Sequence, residues 1–456
     1  MRLDSSGGLT SSDGVGPVAQ FDAVMAGRPQ LLRVINEESL LNALRREGPL
    51  MRSDLTRISG LSKPTVGLAL ANLERNGLVR VAGHRRGVRG PVATLYEVNP
   101  EAGYVLALDV GAEYVRGALA NMAGTVLARA SRAVHRASSP ARMSALVGLA
   151  DELTGEAGID RSQITQTVVG SPGVYDRRRD ALVLARAFPG WEHAGLLADL
   201  RRAFGHSTVV ENDVNLAAVA EGDHGYARGV ANFAFVSVGT GIGMGLVVSG
   251  QLHRGVHGSA GEIGFLPLAA DAPLDTSDAR RRGTLEAAVS AAGVVRRGRQ
   301  YGLDGRLTGR RIFEAAARGD ERAKAVVAAE ASLVARAIAT VSLVADPALV
   351  VLGGGIGSAA GFAVAVAQEL AQLVPLAPEI RVSALGSEAV VEGGLVCGIE
   401  MAWERVLDRS RAFARVDEPA PPMSPLRPGP APDGRRGQVL QPAASHSRLS
   451  VRRPSA

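Results

Sequence analysis

The stretch SVGTGIGMGLV, residues 237–247, decides the architecture. It lies at the end of an apolar run from Phe233 to Gly239, whose Val and Phe content reads as a buried strand. The run stops at Gly239-Thr240-Gly241-Ile242-Gly243, and a second run from Met244 to Ser249 reads as the next strand. Such a turn brings backbone N–H groups close enough to hold phosphate oxygens. Tight turns need glycine in any case, so a single one says little about a ligand.

Working outward, the same arrangement recurs twice. Val105-Leu-Ala-Leu-Asp109-Val-Gly111 is a strand ending in an acidic turn, with strands expected over Val115–Leu119 and Val126–Val134. Leu349-Val-Val-Leu runs into Gly353-Gly-Gly355. A helix over 141–154 precedes a strand at Ile164–Gly170; SPGVYD (171–176) and FPGW (188–191) read as loops. Val209-Val-Glu-Asn212-Asp213 is a strand opening into a helix over 214–221. Strands alternating with helices in this order predict two α/β lobes with a cleft between them. Asp109 and Gly111, the Gly239, Thr240 and Gly241 turn, and Gly353 with Gly354 are candidate nucleotide contacts. Asn212 and Asp213 suit a polyol, since Asn donates and accepts while Asp can take a hydroxyl proton as a general base. The plainer role for Asp213 is a helix N-cap.

Residues 28–99 form a smaller helical module. Leu40, Leu41 and Leu44 mark one face of a first helix that stops near Gly48-Pro49. A second helix over Arg52–Ser59, with Leu55 and Ile58 facing inward, ends at Gly60. Met51 replaces a good capping residue at its mouth. Ser62 is the N-cap of a third helix that tolerates Pro64 and runs to about Asn76. Leu78–Val81 and Val92–Val98 read as strands around the basic loop HRRGVRG (84–90). Three helices and a two-stranded wing predict a winged helix-turn-helix, with twelve Lys/Arg against six Asp/Glu suiting a polyanion. Lys63, Thr65 and Asn72 on the third helix and Arg85, Arg86 and Arg89 in the wing are candidate DNA contacts. Gly67 and Leu68 stand where a base-reading polar side chain would be expected.

Composition bounds the rest. The 456 residues carry a formal charge of +6 and one cysteine, Cys397, which excludes an intrachain disulfide framework and a thiolate-rich zinc site. No apolar run near the start reads as a signal peptide or membrane span, and a cytoplasmic protein without a membrane partner is expected. Residues 1–27 are Gly/Ser-rich; residues 411–456 hold nine of the 23 prolines, with eight Arg/Lys against three Asp/Glu. Both ends are expected to be disordered.

Taken together, ENDVN (211–215), SVGTGIGMGLV (237–247), RGVHGSAGEIG (254–264), LEA (285–287) and LGGGIG (352–357) resemble the ROK family of repressors, open reading frames and kinases, from about residue 30 to about 405. The resemblance implies an α/β, two-lobed, actin/hexokinase-like (ribonuclease H-like) sugar-kinase fold over 100–410. With the winged module in front, it implies the transcriptional branch. In the kinase branch, the residue matching Asp213 activates a sugar hydroxyl, and Asn212, Glu262 and Glu286 match sugar-contacting positions.

The chain departs from the family pattern in two places. The first phosphate turn, usually Asp-x-Gly-Gly-Thr, reads Asp109-Val-Gly111-Ala112-Glu113, and a carboxylate there repels phosphate. The family's His after Glu-x-Gly is Phe265, and its zinc-holding cysteine cluster is replaced by a segment around DTSDARRRGTLE; Asp271, Asp275 and Asp278 cannot rebuild a thiolate site. No metal and no cofactor are expected, and Phe265 with its apolar neighbours is expected to hold the loop by packing. The leading expectation is a sugar-responsive repressor that binds operator DNA as a homodimer or homotetramer. An ATP-dependent sugar kinase using Asp213 as base, and a docking scaffold without a ligand, are the alternatives.

Overall fold

The computed structural model describes residues 29–85, 93–135, 137–176, 179, 181–185, 190–267 and 276–416. Arg86, Arg89, Phe188, Asp271, Asp275 and residues 1–27 and 417–456 lie outside the described residues.

At the front, α1 (Pro29–Glu47), α2 (Arg52–Ser59) and α3 (Lys63–Arg75) pack on a sheet of β1 (Leu50–Met51), β2 (Val79–Arg85) and β3 (Ala93–Val98), ordered β1-β3-β2. Ser62 caps α3 by accepting the Thr65 N–H, and Gly60 ends α2 in the left-handed region. Leu40, Leu41, Leu44, Leu55, Leu70 and Leu73 are buried together. Each contributes roughly 1.5–3 kcal/mol of transfer free energy. Ile58, expected to face inward, is 42% exposed. At Met51 the cap is made in reverse, the Asp54 carboxylate accepting the Met51 N–H at 3.2 Å.

Two five-stranded sheets follow. In the first, β4 (Tyr104–Val110), β5 (Tyr114–Asn121) and β6 (Val126–Ala133) form an antiparallel meander, and β7 (Ile164–Ser171) and β10 (Thr208–Asn212) add parallel to β4. Between them β8 (Val174–Asp176) and β9 (Ala181–Val183) pair as a separate hairpin, so SPGVYD is strand, bend and strand rather than a loop. In the second sheet, β11 (Phe233–Val238), β12 (Ile242–Val248) and β13 (Gln251–Leu252) form the meander, and β14 (Leu349–Gly353) and β15 (Glu379–Val382) add parallel to β11. Both sheets thus run meander first and parallel pair second, in the order 3-2-1-4-5 counted within each lobe.

In the first lobe, α4 (Ser139–Ala157) and α5 (Leu196–Phe204) cover one sheet face, burying Leu146, Leu149, Leu153 and Leu200 against Leu106, Leu108 and Leu119. Trp191 is fully buried in the same cluster, its indole N–H donating to the Ser171 hydroxyl at 3.0 Å. α6 (Asp213–His224) springs from the end of β10. The second lobe adds α7 (Thr276–Arg282), α8 (Thr284–Val289), α9 (Ala291–Gln300), α10 (Gly309–Ala317), α11 (Glu321–Ala345), α12 (Gly354–Gly357) and α13 (Phe362–Leu373). α11 is long and apolar enough to cross a membrane, but half of its most apolar stretch is buried in that lobe's core. The chain closes with α14 (Ala389–Val416), which returns to the first lobe. The helix continues past residue 410, where an unstructured tail was expected to begin.

Candidate functional site

β10 delivers the two polar residues that open α6. Asn212, not Asp213, is the N-cap: its Oδ1 accepts the N–H groups of Val214 (3.0 Å) and Asn215 (3.2 Å), and its Nδ2 donates to the Gly173 carbonyl at 3.1 Å. The Asp213 carboxylate stands in the first turn and accepts from the Val214 N–H at 2.8 Å. An anion at a helix N-terminus is favoured by the exposed N–H groups there. α6 lies close against the second sheet because β12 is glycine-rich. A Cβ on Gly243 would stand 2.9 Å from Val214, and one on Gly245 would stand 2.6 Å from Ala218.

Glu262 and Glu286 arrive from the second lobe. Glu262 precedes a 3-10 turn over Ile263–Phe265. Glu286, in the first turn of α8, accepts the Ile242 N–H at 3.4 Å and faces Arg282 at 3.6 Å. The turn after β11 needs Gly241 here, because a Cβ would come within 2.9 Å of the Glu286 carboxylate. Burial raises Glu262 to about 7, and the charges of Glu286 and Asp213 push in the same direction. Burial also lifts Asp213 to about 6, its backbone hydrogen bonds opposing the shift. The structure therefore brings Asp213 from the first lobe and Glu286 from the second within the field of Glu262. Such a site welcomes hydroxyl donors and repels anions.

On the phosphate side, Asp109 is 5% exposed and faces Arg116 at 3.3 Å instead of open cleft. Its carboxyl rises to about 7, by burial first and the Asp213 charge second, with Arg116 opposing. The Arg116 guanidinium also lies over the Tyr114 ring, 5.3 Å from its centroid. Gly111 lies one turn away, its carbonyl accepting from the buried Arg142. Arg116 thus gives Asp109, a candidate nucleotide contact, a partner from within the chain, but burial and the Asp213 charge outweigh it and the carboxyl stays raised. The turns containing Gly239 and Gly353-Gly354 meet each other. Cβ atoms would stand 3.4 Å from Gly355 N at Gly239 and 2.5 Å from the Val238 carbonyl at Gly354, whose φ is +77°. Mutual packing thus accounts for these glycines, while Thr240 is exposed at the tip.

The segment that lacks the cysteine cluster is pinned by main-chain contacts. Gly283 fits against Gly264 so closely that a Cβ would lie 2.2 Å from the Gly264 carbonyl, and the Thr284 hydroxyl donates to the Leu266 carbonyl at 2.8 Å. Ile263 is buried, but Phe265 is 43% exposed and does not supply the expected packing.

A cleft of about 1270 Å³ opens between the β8–β9 hairpin and the segment Arg254–Ser259. Of the four candidate ligand residues, only Asn212 lines it; Asp213, Glu262 and Glu286 cluster beside it. Glu211 and Arg254 also line it and are functional candidates that motif reading passed over. Glu211 accepts from the Arg254 Nε at 2.7 Å, the Asn215 amide at 2.9 Å and the Asn212 N–H at 3.0 Å. Both residues stand inside the quoted motifs, yet the pairing spans 43 positions and no local spacing announces it.

At the front module, Lys63 and Thr65 stand at the exposed start of α3 and Leu68 is 62% exposed. Asn72 is 9% exposed: it donates to the Glu37 carboxylate at 2.9 Å and accepts from Arg75 at 3.0 Å. It ties α3 to α1 and does not reach toward a groove, which corrects its expected place among the DNA contacts. Arg85 ends β2.

Two lobes of matching strand order, with acidic and amide side chains converging at their strand ends, define a protein of sugar-kinase-like fold. The sequence matches the ROK family over residues 105–396, and the chain belongs to it. It is 25% identical over 242 residues to the xylose repressor of Bacillus subtilis (strain 168), covering 53% of this chain and 62% of that protein. It thus spans less than two thirds of that relative. The crystal structure of a ROK hexokinase from Thermus thermophilus matches with a TM-score of 0.57 at 28% identity, covering 66% of this chain and 99% of that one. The crystal structure of a ROK family transcriptional regulator, homologous to the E. coli Mlc protein, matches with a TM-score of 0.66 at 21% identity. That match covers 85% of this chain, more than the two lobes contain, and all of the other.

Proposed function

We propose that this chain is a DNA-binding transcriptional repressor whose ROK domain senses a sugar. Residues 28–99 serve as a winged helix-turn-helix reader, and residues 100–410 bind the ligand. The observation that carries this reading is the convergence of Asp213, Glu262 and Glu286 at the start of α6, where burial and the charges of Glu286 and Asp213 raise Glu262. The likeness to the B. subtilis xylose repressor supports it. The carboxylate cluster favours a neutral or amino sugar over a sugar acid or sugar phosphate. The protein works in the cytoplasm as a homodimer or homotetramer on a pseudo-palindromic operator. Lys63 and Thr65 contact the DNA at the start of α3, and Arg85, Arg86 and Arg89 contact it from the wing. Sugar shifts operator affinity by its differential affinity for two states of the chain.

The test is selection of bound fragments from genomic DNA, with and without sugars. Recovery of discrete sites that a sugar releases is expected; no DNA retention at low salt overturns the assignment. A second reading, an ATP-dependent sugar kinase, draws on Asp213, whose carboxyl near 6 suits a general base. Sugar-dependent ADP release abolished by Asp213→Asn would establish it.

A further inference from the structure

The last helix connects the ligand cleft to the N-terminal module. Through its first half, α14 lies directly on α6, the helix that Asn212 and Asp213 begin. A Cβ on Gly393 would fall 1.8 Å from the Leu216 carbonyl of α6, and a Cβ on Gly394 would fall 2.9 Å from Ala107 of β4. Backbones this close cannot slide independently, because close-packed interiors transmit displacement. Where α6 ends, His224 faces Glu392 of α14 at 3.6 Å, and Arg129 of β6 pairs with Glu392 and with Glu388 (3.4 Å).

Two turns further along, α14 meets the front module. Trp403 is fully buried, with Ala402, Leu395 and Leu407, in the same apolar cluster as Leu40, Leu41, Leu44 and Leu70 of α1 and α3. Its indole N–H donates to the Met122 carbonyl at 3.1 Å, which fixes the ring to the first lobe. Arg45, in the last turn of α1, stacks over that ring at 5.6 Å and pairs with Glu400. The apolar cluster supplies the attachment energy. The ion pair is 61% exposed on the Glu400 side and adds little to stability. Its contribution is angular: it fixes the azimuth of α1 about α14.

We propose that α14 is the transmission element of this protein. A ligand drawing on Asn212 and Asp213 moves the start of α6, and α6 carries α14 with it across the Gly393 contact. The Arg45–Glu400–Trp403 clamp then passes that motion to α1 and hence to α3. The proposal rests on the sugar-sensing reading and names how that site is coupled to DNA.

The test uses the full chain, a duplex recovered by the genomic selection, and D-xylose, D-glucose and N-acetylmannosamine as sugar probes. Sugar affinity and operator affinity are measured separately for wild type, Glu400→Gln, Glu400→Arg and the exchange Arg45→Glu with Glu400→Arg. In wild type, sugar is expected to change operator affinity by about fivefold or more. In Glu400→Arg, sugar should bind within about twofold of wild type while its effect on operator affinity falls below about twofold; the exchange should recover it. Glu400→Gln, a near-isosteric change, should lie between the two. Full sugar response in both Glu400 variants overturns the transmission role and leaves the sugar-sensing reading intact. Wild type that binds neither DNA nor any of the probes overturns both.

Discussion

Asp109 and Glu262 are acids of similarly raised proton affinity set among different neighbours. Glu262 is raised by burial and by the charges of Glu286 and Asp213, and Arg282 faces Glu286 at 3.6 Å. Asp109 is also buried, yet it is bound to Arg116, which is itself stacked on Tyr114. A buried acid among like charges is costly unless hydrogen-bond donors reach it, whereas one beside a guanidinium has a donor within the chain. Burial thus raises both acids alike while leaving one beside a guanidinium and the other beside like charges.

Glu262 is the position where substitution is expected to have the largest effect. Glu262→Ala should weaken sugar binding by about 10–100-fold, corresponding to about 1.5–3 kcal/mol for a hydrogen bond to a charged group. The sugar-induced rise in Tm should vanish with it. An undiminished rise would remove the carboxylate cluster from the ligand site. On the other side, Arg116→Met should lower stability by about 1–3 kcal/mol by stripping Asp109 of its partner, and should leave sugar affinity unchanged. Denaturant unfolding reads the first effect and calorimetry the second.

A pH series sharpens the contrast further. Sugar hydroxyls donate to ionised carboxylates, so binding draws protons from groups that hold them near 6 and 7 in the free protein. Affinity should therefore rise as pH climbs through that window and level off above about 8, with proton release visible as a buffer-dependent heat. In the absence of ligand the sign reverses for stability. Raised acids bind more protons folded than unfolded, so their unfavourable contribution eases as pH falls from 8 toward 5. A flat affinity profile would mean that these acids do not meet the sugar. The smallest effect is at the front module: Lys63→Ala should weaken operator binding a few-fold across sequences and lower the salt slope by about 1, measured by titration at several salt concentrations.

Much of this architecture is legible because its strands end in distinctive residues. Val105–Gly111, Val209–Asp213, Phe233–Gly243 and Leu349–Gly355 each join an apolar run to glycine or acid. Arg116 was not legible as a site residue: a cation in an alternating strand reads as solvent-facing, and only the β4–β5 register, which sets Asp109 opposite Arg116, reveals the pair. Asn72 failed in the opposite direction. On α3 it falls among Val66, Ala69, Leu70 and Leu73 on the buried face, where polarity alone suggested exposure. The hairpin over 174–183 escaped notice because its strands are three residues each, too short for a period to declare itself.

The order of elements along the chain also has a consequence for biosynthesis. Val105, Ala107, Ala118 and the leucines of α1 and α3 leave the ribosome early, but the residues that complete their apolar cluster, Val391, Leu395, Ala402, Trp403 and Leu407, come from α14 near the end. A nascent chain therefore holds its front module and first sheet incomplete until almost everything else has been made. A chain truncated ahead of Ala389 leaves that cluster open to water, which makes it a substrate for chaperones and proteases rather than a shortened regulator.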